Sequence, residues 1–219
     1  MLLLGLTGNI ACGKSTVARL LQARGAQVID SDLLVRELYA EPEFARRVAL
    51  LFADRVLDKA LLAADGSVDR TALGALVFND ANALRRIEDV VHPAVAALRK
   101  RKIAELSTHF APSVVVLEAV KLIESGQARE CDLVWWITCD RAVQMERLMH
   151  GRGLDEAAAV RRLAQQPSPE KKRALLGDVP LVEIENNGSL RELQARVEFE
   201  WSKWVPAAKT RDASTRAVS

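Results

Sequence analysis

The feature that most constrains the fold is a glycine-rich segment near the start of the chain. Residues 8–15 fit the pattern G-x-x-x-x-G-K-[ST]. The segment consists of Gly8, Asn9, Ile10, Ala11, Cys12, Gly13, Lys14 and Ser15. A short apolar run over residues 1–5 precedes it, and a helical pattern over residues 15–24 follows it. A strand, a glycine turn and a helix in this order are the context in which the pattern indicates a phosphate-binding loop.

Each part of this phosphate loop suits one part of a nucleotide. Glycine at positions 8 and 13 lets the backbone wrap tightly, so that successive N–H groups converge on phosphate oxygens at the positive end of a helix. We expect Lys14 to reach the β and γ phosphates and Ser15 to supply an oxygen ligand to Mg²⁺. Cys12 needs only a small side chain, and Thr16 completes the predicted ATP contacts. The expected cofactors are therefore ATP and Mg²⁺. The structural alternative is a glycine turn that only caps a helix.

Further short apolar runs predict the rest of a sheet. They cover residues 26–29, 114–117, 133–137 and 181–184. The second and third of these are continuous apolar runs, as in strands that are buried on both faces. Strands that alternate with helices predict an α/β fold with a doubly wound parallel sheet of about five strands.

Two regions between the strands have helical patterns. Residues 43–107 contain no convincing strand and predict a helical lobe. Its predicted breaks are Asp65-Gly66, Asn79-Asp80 and His92-Pro93. Residues 140–149 and 155–165 predict two helices, separated by Gly151-Arg152-Gly153, that suit a mobile lid. An apolar stripe on a C-terminal helix is formed by Leu190, Leu193, Val197, Trp201 and Trp204.

Two aspartates follow the second predicted strand. Asp30 and Asp32 flank Ser31, and the carboxyl ends of neighbouring parallel strands share one edge of a sheet. We therefore expect these carboxylates to face the phosphate loop, where one of them can accept the proton of a hydroxyl during phosphoryl transfer. The structural alternative is that Asp32 only caps the helix that starts at Leu33.

Several short motifs follow one another in a fixed order along the chain. They are Leu6-Thr7-Gly8 with the phosphate loop, Asp30-Ser31-Asp32 with Arg36, Val77-Phe78 with Leu84 and His92-Pro93, the residues Gln144, Arg147, Arg152 and Gln165 of the predicted lid, and Asn186-Asn187-Gly188-Ser189. The motifs and their order resemble those of the dephospho-CoA kinase family, and the resemblance covers residues 4–201. The order of these motifs is far more specific than any single one of them.

The resemblance implies ATP-dependent phosphorylation of the ribose 3′-hydroxyl of dephospho-CoA, the last step of coenzyme A synthesis. It implies that Asp32 is the base, and that Lys14 and Arg147 act on the phosphates. The other residues that it implies are Arg152, Asn187 and Gly188 for ATP, and Arg36, Phe78, His92 and Glu118 for the acceptor.

The resemblance also implies the domain organisation. We expect a single P-loop kinase domain over residues 1–206, followed by a polar tail over residues 207–219. Within the domain, the expected parts are a core of residues 1–32, 108–140 and 178–206, a helical acceptor lobe of about residues 33–107, and a lid of about residues 141–177.

Several of these side chains have structural alternatives. Arg147 and Arg152 could be solvated arginines of a lid helix, and His92 could be a turn residue that ends a helix before Pro93. Phe78 could belong to a core, since a lone aromatic residue on a helix usually does.

The chain departs from the family pattern after the third predicted strand. The family usually has an aspartate followed by Pro-Leu-Leu there, whereas this chain has Glu118, Ala119, Val120, Lys121 and Leu122. The carboxylate is one methylene longer, the proline is missing and a lysine is added. We expect Glu118 to order a Mg²⁺-bound water or a group of the phosphate loop, and Lys121 to point to solvent.

Charge and hydropathy exclude several classes of partner. The 31 basic and 29 acidic residues leave a net charge of +2, which does not favour nucleic acid or an anionic membrane. The basic run 99–102 spreads around a helix and is expected to be solvated. The longest apolar run, residues 133–139, is too short to span a membrane. Three cysteines without a disulfide or zinc spacing indicate a reducing cytosol. We expect a cytoplasmic monomer or weak oligomer whose partner is a small-molecule substrate.

Two other functions stay open at this point. One is a P-loop kinase for another small hydroxyl acceptor, such as a nucleoside or nucleotide. The other is a nucleotide-binding regulatory homologue that has lost transfer activity, although a guanine-specifying N-K-x-D motif is absent from the sequence.

Overall fold

The structure, a computed structural model, describes residues 1–55, 61–78, 80–109 and 114–215. Within them, five strands form one sheet with the order β2-β3-β1-β4-β5. The strands are β1 (Leu2–Gly8), β2 (Gln27–Asp30), β3 (Val114–Glu118), β4 (Leu133–Thr138) and β5 (Leu181–Glu185). The helices are α1 (Lys14–Gln22), α2 (Ser31–Ala40), α3 (Pro42–Leu51), α4 (Arg70–Val77), α5 (Ala81–His109), α6 (Arg141–Arg152), α7 (Glu156–Ala164), α8 (Pro169–Leu176) and α9 (Leu190–Thr215).

The sheet confirms the predicted α/β class. The pairs β1–β3, β1–β4 and β4–β5 are parallel. Every residue of β3 is buried, and β4 is buried up to Ile137, because helices cover both faces of a sheet of this kind. The order places β1 in the centre, so the phosphate loop leaves the middle of the sheet. The two neighbours of β1 in the sheet are β3 and β4.

The chain divides into two compact units. The first contains Met1–Ile29 and Leu106–Ser219, and the second contains Asp30–Glu105. The core of the first unit is built from apolar side chains of β1, β3 and β4 together with α1 and α9. From the predicted C-terminal stripe, Leu193 and Val197 are buried in this core, and Trp201 and Trp204 pack against it. Leu190 is exposed instead, and α9 continues to Thr215, beyond the expected start of the tail.

The second unit contains α2 to α5. The predicted break at His92-Pro93 is wrong, since α5 runs through Pro93 without interruption. Proline removes one backbone hydrogen bond from a helix, but Val91, Val95 and Leu98 are buried on either side of it. Their packing offsets the loss. α5 begins where the Asp80 carboxylate accepts hydrogen bonds from the backbone N–H groups of residues 82 and 83; Asn79 of the predicted break lies outside the described residues.

A third helix in the predicted lid region is not among the sequence expectations. α8 starts at Pro169, and the hydroxyl of Ser168 accepts from the backbone N–H of Lys171 at 3.3 Å. A serine followed by proline is a recognisable start signal for a helix. In the described part of the chain, no helix is long and apolar enough to cross a membrane.

Candidate active site

The phosphate loop connects the end of β1 to the start of α1. Gly13 precedes α1 with a φ of 90°, a left-handed conformation that favours glycine, and a β-carbon there would collide with the side-chain amide of Asn186. A β-carbon on Gly8 would lie 2.9 Å from the carbonyl oxygen of Ile137 in β4. Both glycines of the pattern are therefore required by the local geometry.

Three functional groups meet at the carboxyl end of the central strands. The Lys14 ammonium forms an ion pair with Glu118 Oε1. Ser15 Oγ lies 3.5 Å from the same oxygen. Glu118 is the last residue of β3 and pairs in register with Leu6 of β1, so the backbone of the sheet holds its buried carboxylate beside the loop. The longer side chain at this position reaches the loop lysine directly.

The same groups fit a magnesium ion. Mg²⁺ prefers oxygen ligands and is usually held by one or two protein groups together with phosphate oxygens and water. The Ser15 hydroxyl and the Glu118 carboxylate lie side by side and offer such oxygens.

Three side chains from distant parts of the chain bind carbonyl oxygens of the loop. Asn186 Nδ2 donates to the carbonyl of Cys12 at 2.8 Å. Gln144 Nε2 donates to that of Ile10 at 2.9 Å, and one guanidinium nitrogen of Arg147 donates to that of Ala11 at 3.3 Å. These donors pair three carbonyl oxygens of the loop, so the groups that the loop offers to an anion are those of its N–H groups that are not paired within the protein.

Two contacts to the loop come from residues that sequence reasoning missed. Gln166 Oε1 accepts from the backbone N–H of Ile10 at 2.8 Å, whereas Gln165, which the lid resemblance named, is exposed. Lys172 Nζ donates to Asn9 Oδ1 at 2.9 Å. Both partners lie more than 150 positions away in sequence. The start signal of α8 at Ser168 was the available hint of an ordered helix in this region.

The Cys12 side chain is not merely small enough for its place in the loop, because it also makes specific contacts. It is fully buried and accepts a hydrogen bond from Cys139 Sγ at 2.9 Å and another from Gln144 Nε2 at 3.3 Å. The bond from Cys139 lowers the pKa of the Cys12 thiol and raises the pKa of Cys139. Both thiols are free.

The turn Asn186-Asn187-Gly188-Ser189, which the resemblance assigns to ATP binding, contacts the loop through Asn186. Asn187 Oδ1 accepts from the backbone N–H of Asp140 at 2.7 Å. A β-carbon on Gly188 would collide with the Glu192 carboxylate, which accepts from the backbone N–H of Ser189 at 3.0 Å. The turn is therefore fixed at both ends.

Within the described part of the chain, Arg152 and the side chain of Thr16 do not make hydrogen bonds to the loop of the kind that Arg147 and Asn186 make. Arg152 is exposed at the end of α6 and, among the described residues, has no hydrogen bond or ion pair with the loop. It lies five residues after Arg147, about 140° around the helix, so the two arginines project from different faces. The Thr16 hydroxyl accepts from Arg19 at 3.4 Å.

In the helical unit, the structure separates the roles of the two aspartates. Asp30 is the N-cap of α2, and its Oδ1 accepts from the backbone N–H groups of Asp32 at 2.8 Å and Leu33 at 3.4 Å. The alternative that Asp32 caps this helix is therefore wrong. Asp32 and Arg36 are exposed one turn apart on α2, and the cap does not use the Asp32 carboxylate.

The helical unit also contains a cavity of about 270 Å³. Val77, Leu84 and His92 of the family-like motifs line it, together with Tyr39 and other side chains. Phe78 does not line it and is 83% exposed, so the alternative of a core aromatic residue is wrong. His92 is exposed within α5, so it does not end a helix.

A parallel sheet whose central strand leads into a glycine loop, with lysine and serine at the start of the next helix, defines a P-loop nucleotide-binding protein. The family model described as dephospho-CoA kinase matches residues 2–192. The chain therefore belongs to the dephospho-CoA kinase family, whose members are transferases that phosphorylate dephospho-CoA.

One relative and two solved structures are similar to this chain over most of its length. A dephospho-CoA kinase from Geobacter sulfurreducens is 40% identical over 206 residues, which are 94% of this chain and 100% of that protein. The crystal structure of TT1252 from Thermus thermophilus has 30% identity and a TM-score of 0.73, and the match covers 93% of this chain and 97% of that one. A dephospho-CoA kinase from Campylobacter jejuni, at 23% identity and a TM-score of 0.63, shares the fold over 92% of this chain and 96% of its own.

Proposed function

We propose that this chain transfers the γ phosphate of ATP to the ribose 3′-hydroxyl of dephospho-CoA and so forms coenzyme A. The observation that carries the proposal is the cluster of Lys14, Ser15 and Glu118 at the phosphate loop. It joins an ammonium, a hydroxyl and a carboxylate at one end of the sheet, and these groups suit phosphoryl transfer from Mg·ATP. Membership of the dephospho-CoA kinase family supports the acceptor.

On the nucleotide side, the loop N–H groups bind the phosphates, and Asn187 and Gly188 contact the adenine end. The Lys14 ammonium, which is paired with Glu118 in this structure, reaches the β and γ phosphates of bound ATP. Arg147 is half-buried against the loop and neutralises charge that develops during transfer. Mg²⁺, when bound, would neutralise charge on the phosphates, and Ser15 is the residue that would hold it.

On the acceptor side, Asp32 accepts the proton of the 3′-hydroxyl as the oxygen attacks phosphorus. Two observations support this role: Asp30 already caps α2, and the Asp32 carboxylate is exposed. Arg36 follows one turn later and suits an acceptor phosphate. The cavity beside His92 offers mainly apolar walls, which suit the pantetheine arm, and Phe78 adds an exposed aromatic surface.

The test is the direct formation of coenzyme A. The protein is incubated with ATP, Mg²⁺ and dephospho-CoA, and the product is identified by mass. Parallel reactions with nucleosides and nucleoside monophosphates test the other acceptor class, and Lys14→Ala is the inactive control. Coenzyme A formation that is lost with Lys14→Ala supports the proposal. Faster phosphorylation of a nucleoside than of dephospho-CoA contradicts it, and so does ATP binding without any transfer.

The proposed partner is a small-molecule substrate, and the proposed location is the cytoplasm. The protein is expected to be a monomer or weak oligomer, which sedimentation analysis of the purified chain would check.

A further inference from the structure

A second lysine near the phosphate loop is buried far more completely than Lys14. The side chain of Lys172, in α8, is 3% exposed, whereas its neighbour Lys171 is exposed to solvent. Burial of an ammonium is costly unless it is paired and hydrogen-bonded. Lys172 therefore needs partners inside the protein, and it has three.

These partners come from three separate elements. Lys172 Nζ donates to Asn9 Oδ1 at 2.9 Å and lies 3.3 Å from Glu124 Oε1. It also lies 5.4 Å from the centre of the Trp136 ring in β4, within reach of a cation–π contact. Glu124 balances the charge, so the ammonium is already neutralised before any nucleotide binds. This arrangement suits a residue that orients the loop rather than one that contacts the phosphates.

The effect on Asn9 follows from the chemistry of the two groups. A lysine ammonium only donates hydrogen bonds, whereas an asparagine amide has an accepting oxygen on one side and a donating NH₂ group on the other. Lys172 therefore fixes the oxygen of Asn9 on its own side and turns the NH₂ group away from it. Asn9 is the second residue of the phosphate loop. A rotated amide would instead present an oxygen, which repels phosphate.

We infer that Lys172 is a positioning residue for ATP, which acts by holding the Asn9 amide so that its NH₂ group faces the phosphates. Glu124 keeps the ammonium at that place. The inference rests on the proposed use of the loop for ATP. It assigns a specific role to α8, which contacts the loop through Lys172.

The first experiment compares Lys172→Met with the matched surface variant Lys171→Met. Binding of a non-hydrolysable ATP analogue is measured by calorimetry in the presence of Mg²⁺, and thermal unfolding is followed in parallel. Loss of an oriented donor to a charged group usually weakens binding by about tenfold to 100-fold. We expect that loss for Lys172→Met, seen also in KM for ATP, and none for Lys171→Met. An unchanged affinity with a lower melting temperature would overturn the inference.

The second experiment tests whether Lys172 acts through Asn9. In an Asn9→Ala background, Lys172→Met should cause no further loss of affinity for the ATP analogue, because the amide that it orients is gone. Equal losses in both backgrounds would show an independent effect and overturn the inference.

The third experiment does not depend on the folding of the lysine variant. Asn9→Asp keeps an oxygen for Lys172 but replaces the NH₂ donor with a charged oxygen. We expect it to bind the ATP analogue more weakly than Asn9→Ala does, without loss of thermal stability. Equal affinity of the two variants would contradict the inference. Because binding is measured without an acceptor, failure of the proposed function would appear separately, as normal ATP binding without coenzyme A formation.

Discussion

The phosphate loop and the helical unit treat their candidate residues in opposite ways. Side chains from α6, α8 and β3, from the segment between α7 and α8 and from the turn after β5 hold the loop through direct hydrogen bonds. In the helical unit, by contrast, Asp32, Arg36, His92 and Phe78 are exposed. The proposed nucleotide side is therefore organised by the fold alone, whereas the proposed acceptor side consists of exposed groups, which we expect to gain their contacts from a substrate. Preorganisation of this kind concentrates catalytic electrostatics where charge develops.

The largest expected effect tests the exposed side. Asp32→Asn keeps the shape of the side chain but removes its power to accept a proton, which is usually worth about 100-fold to 10,000-fold in rate. We expect kcat for coenzyme A formation to fall by that order with an unchanged melting temperature, because Asp32 caps nothing.

The neighbouring aspartate supplies the crossed control. Asp30→Ala removes the cap acceptor of α2 and should cost about 1 kcal/mol of stability while kcat changes far less than with Asp32→Asn. If the two variants exchanged these effects, the assignment of cap and base would be reversed.

The next effect belongs to the organised side. The Lys14 ammonium is expected to follow charge on the β and γ phosphates, and loss of one such contact costs about 100-fold to 1,000-fold in rate. Lys14→Ala should therefore lose turnover and retain its secondary structure by circular dichroism. Turnover close to that of the unchanged protein would refute the role of the loop lysine.

How far the sequence alone predicted this site depends on whether a contact is local. The loop and Lys14 were predictable because the pattern spans eight consecutive residues between a strand and a helix. The strands were predictable because each is a short apolar run. The sequence offered a cap at Asp32 only as the alternative to a base and did not identify Asp30 as the cap, because both aspartates suit an N-cap and only the backbone geometry separates them.

Contacts across the chain were out of reach for a single sequence. Neither the bond from the Ile10 N–H to Gln166 nor that from Lys172 to Asn9 leaves any trace in local periodicity. Pro93 misled the prediction for a related reason, since the buried face of α5 that outweighs the proline is formed by tertiary packing.

A moderate effect is expected at Glu118, which connects β3 to the loop. Glu118→Ala leaves Lys14 without its carboxylate, and we expect kcat to fall by about tenfold to 100-fold, the range for loss of a group that orients metal ligands. The Mg²⁺ concentration for half-maximal activity should rise. Glu118→Asp, which restores the usual residue of the family, should stay active. Equal loss in both variants would mean that side-chain length, rather than charge, is the requirement.

A smaller effect is expected at Phe78, which tests whether the exposed residues of the helical unit bind the acceptor. The side chain is 83% exposed, so Phe78→Ala should leave the melting temperature unchanged. Burial of part of the ring against the acceptor would be worth about 1 kcal/mol at 25 cal/mol per Å². KM for dephospho-CoA should therefore rise several-fold, with KM for ATP unchanged. A drop in stability instead would show that Phe78 supports the helical unit.

The smallest effect is expected at Lys121, in the segment that departs from the family pattern. Lys121 is exposed, and dissolved salt screens the interactions of a solvated charge. We expect Lys121→Leu to leave kcat and KM for dephospho-CoA unchanged at every salt concentration. A raised KM with weaker salt dependence would instead mean that this ammonium binds the acceptor, and a gain in turnover would mean that it hinders catalysis.

The neighbour of Lys121 explains why so small an effect is expected although the proline is missing. Leu122 is fully buried, and a β-carbon on Gly5 of β1 would lie 2.7 Å from its Cδ2, so the leucine packs in the space that this glycine leaves free. The backbone N–H of Ala119 also donates to the carbonyl of Leu6 at 3.1 Å. The segment is thus anchored on both sides of Lys121 without a proline. Leu122→Ala should cost about 2 to 5 kcal/mol of stability, measured by denaturant unfolding, while Lys121→Leu costs none. Equal stability of the two variants would show that something other than Leu122 holds the segment in place.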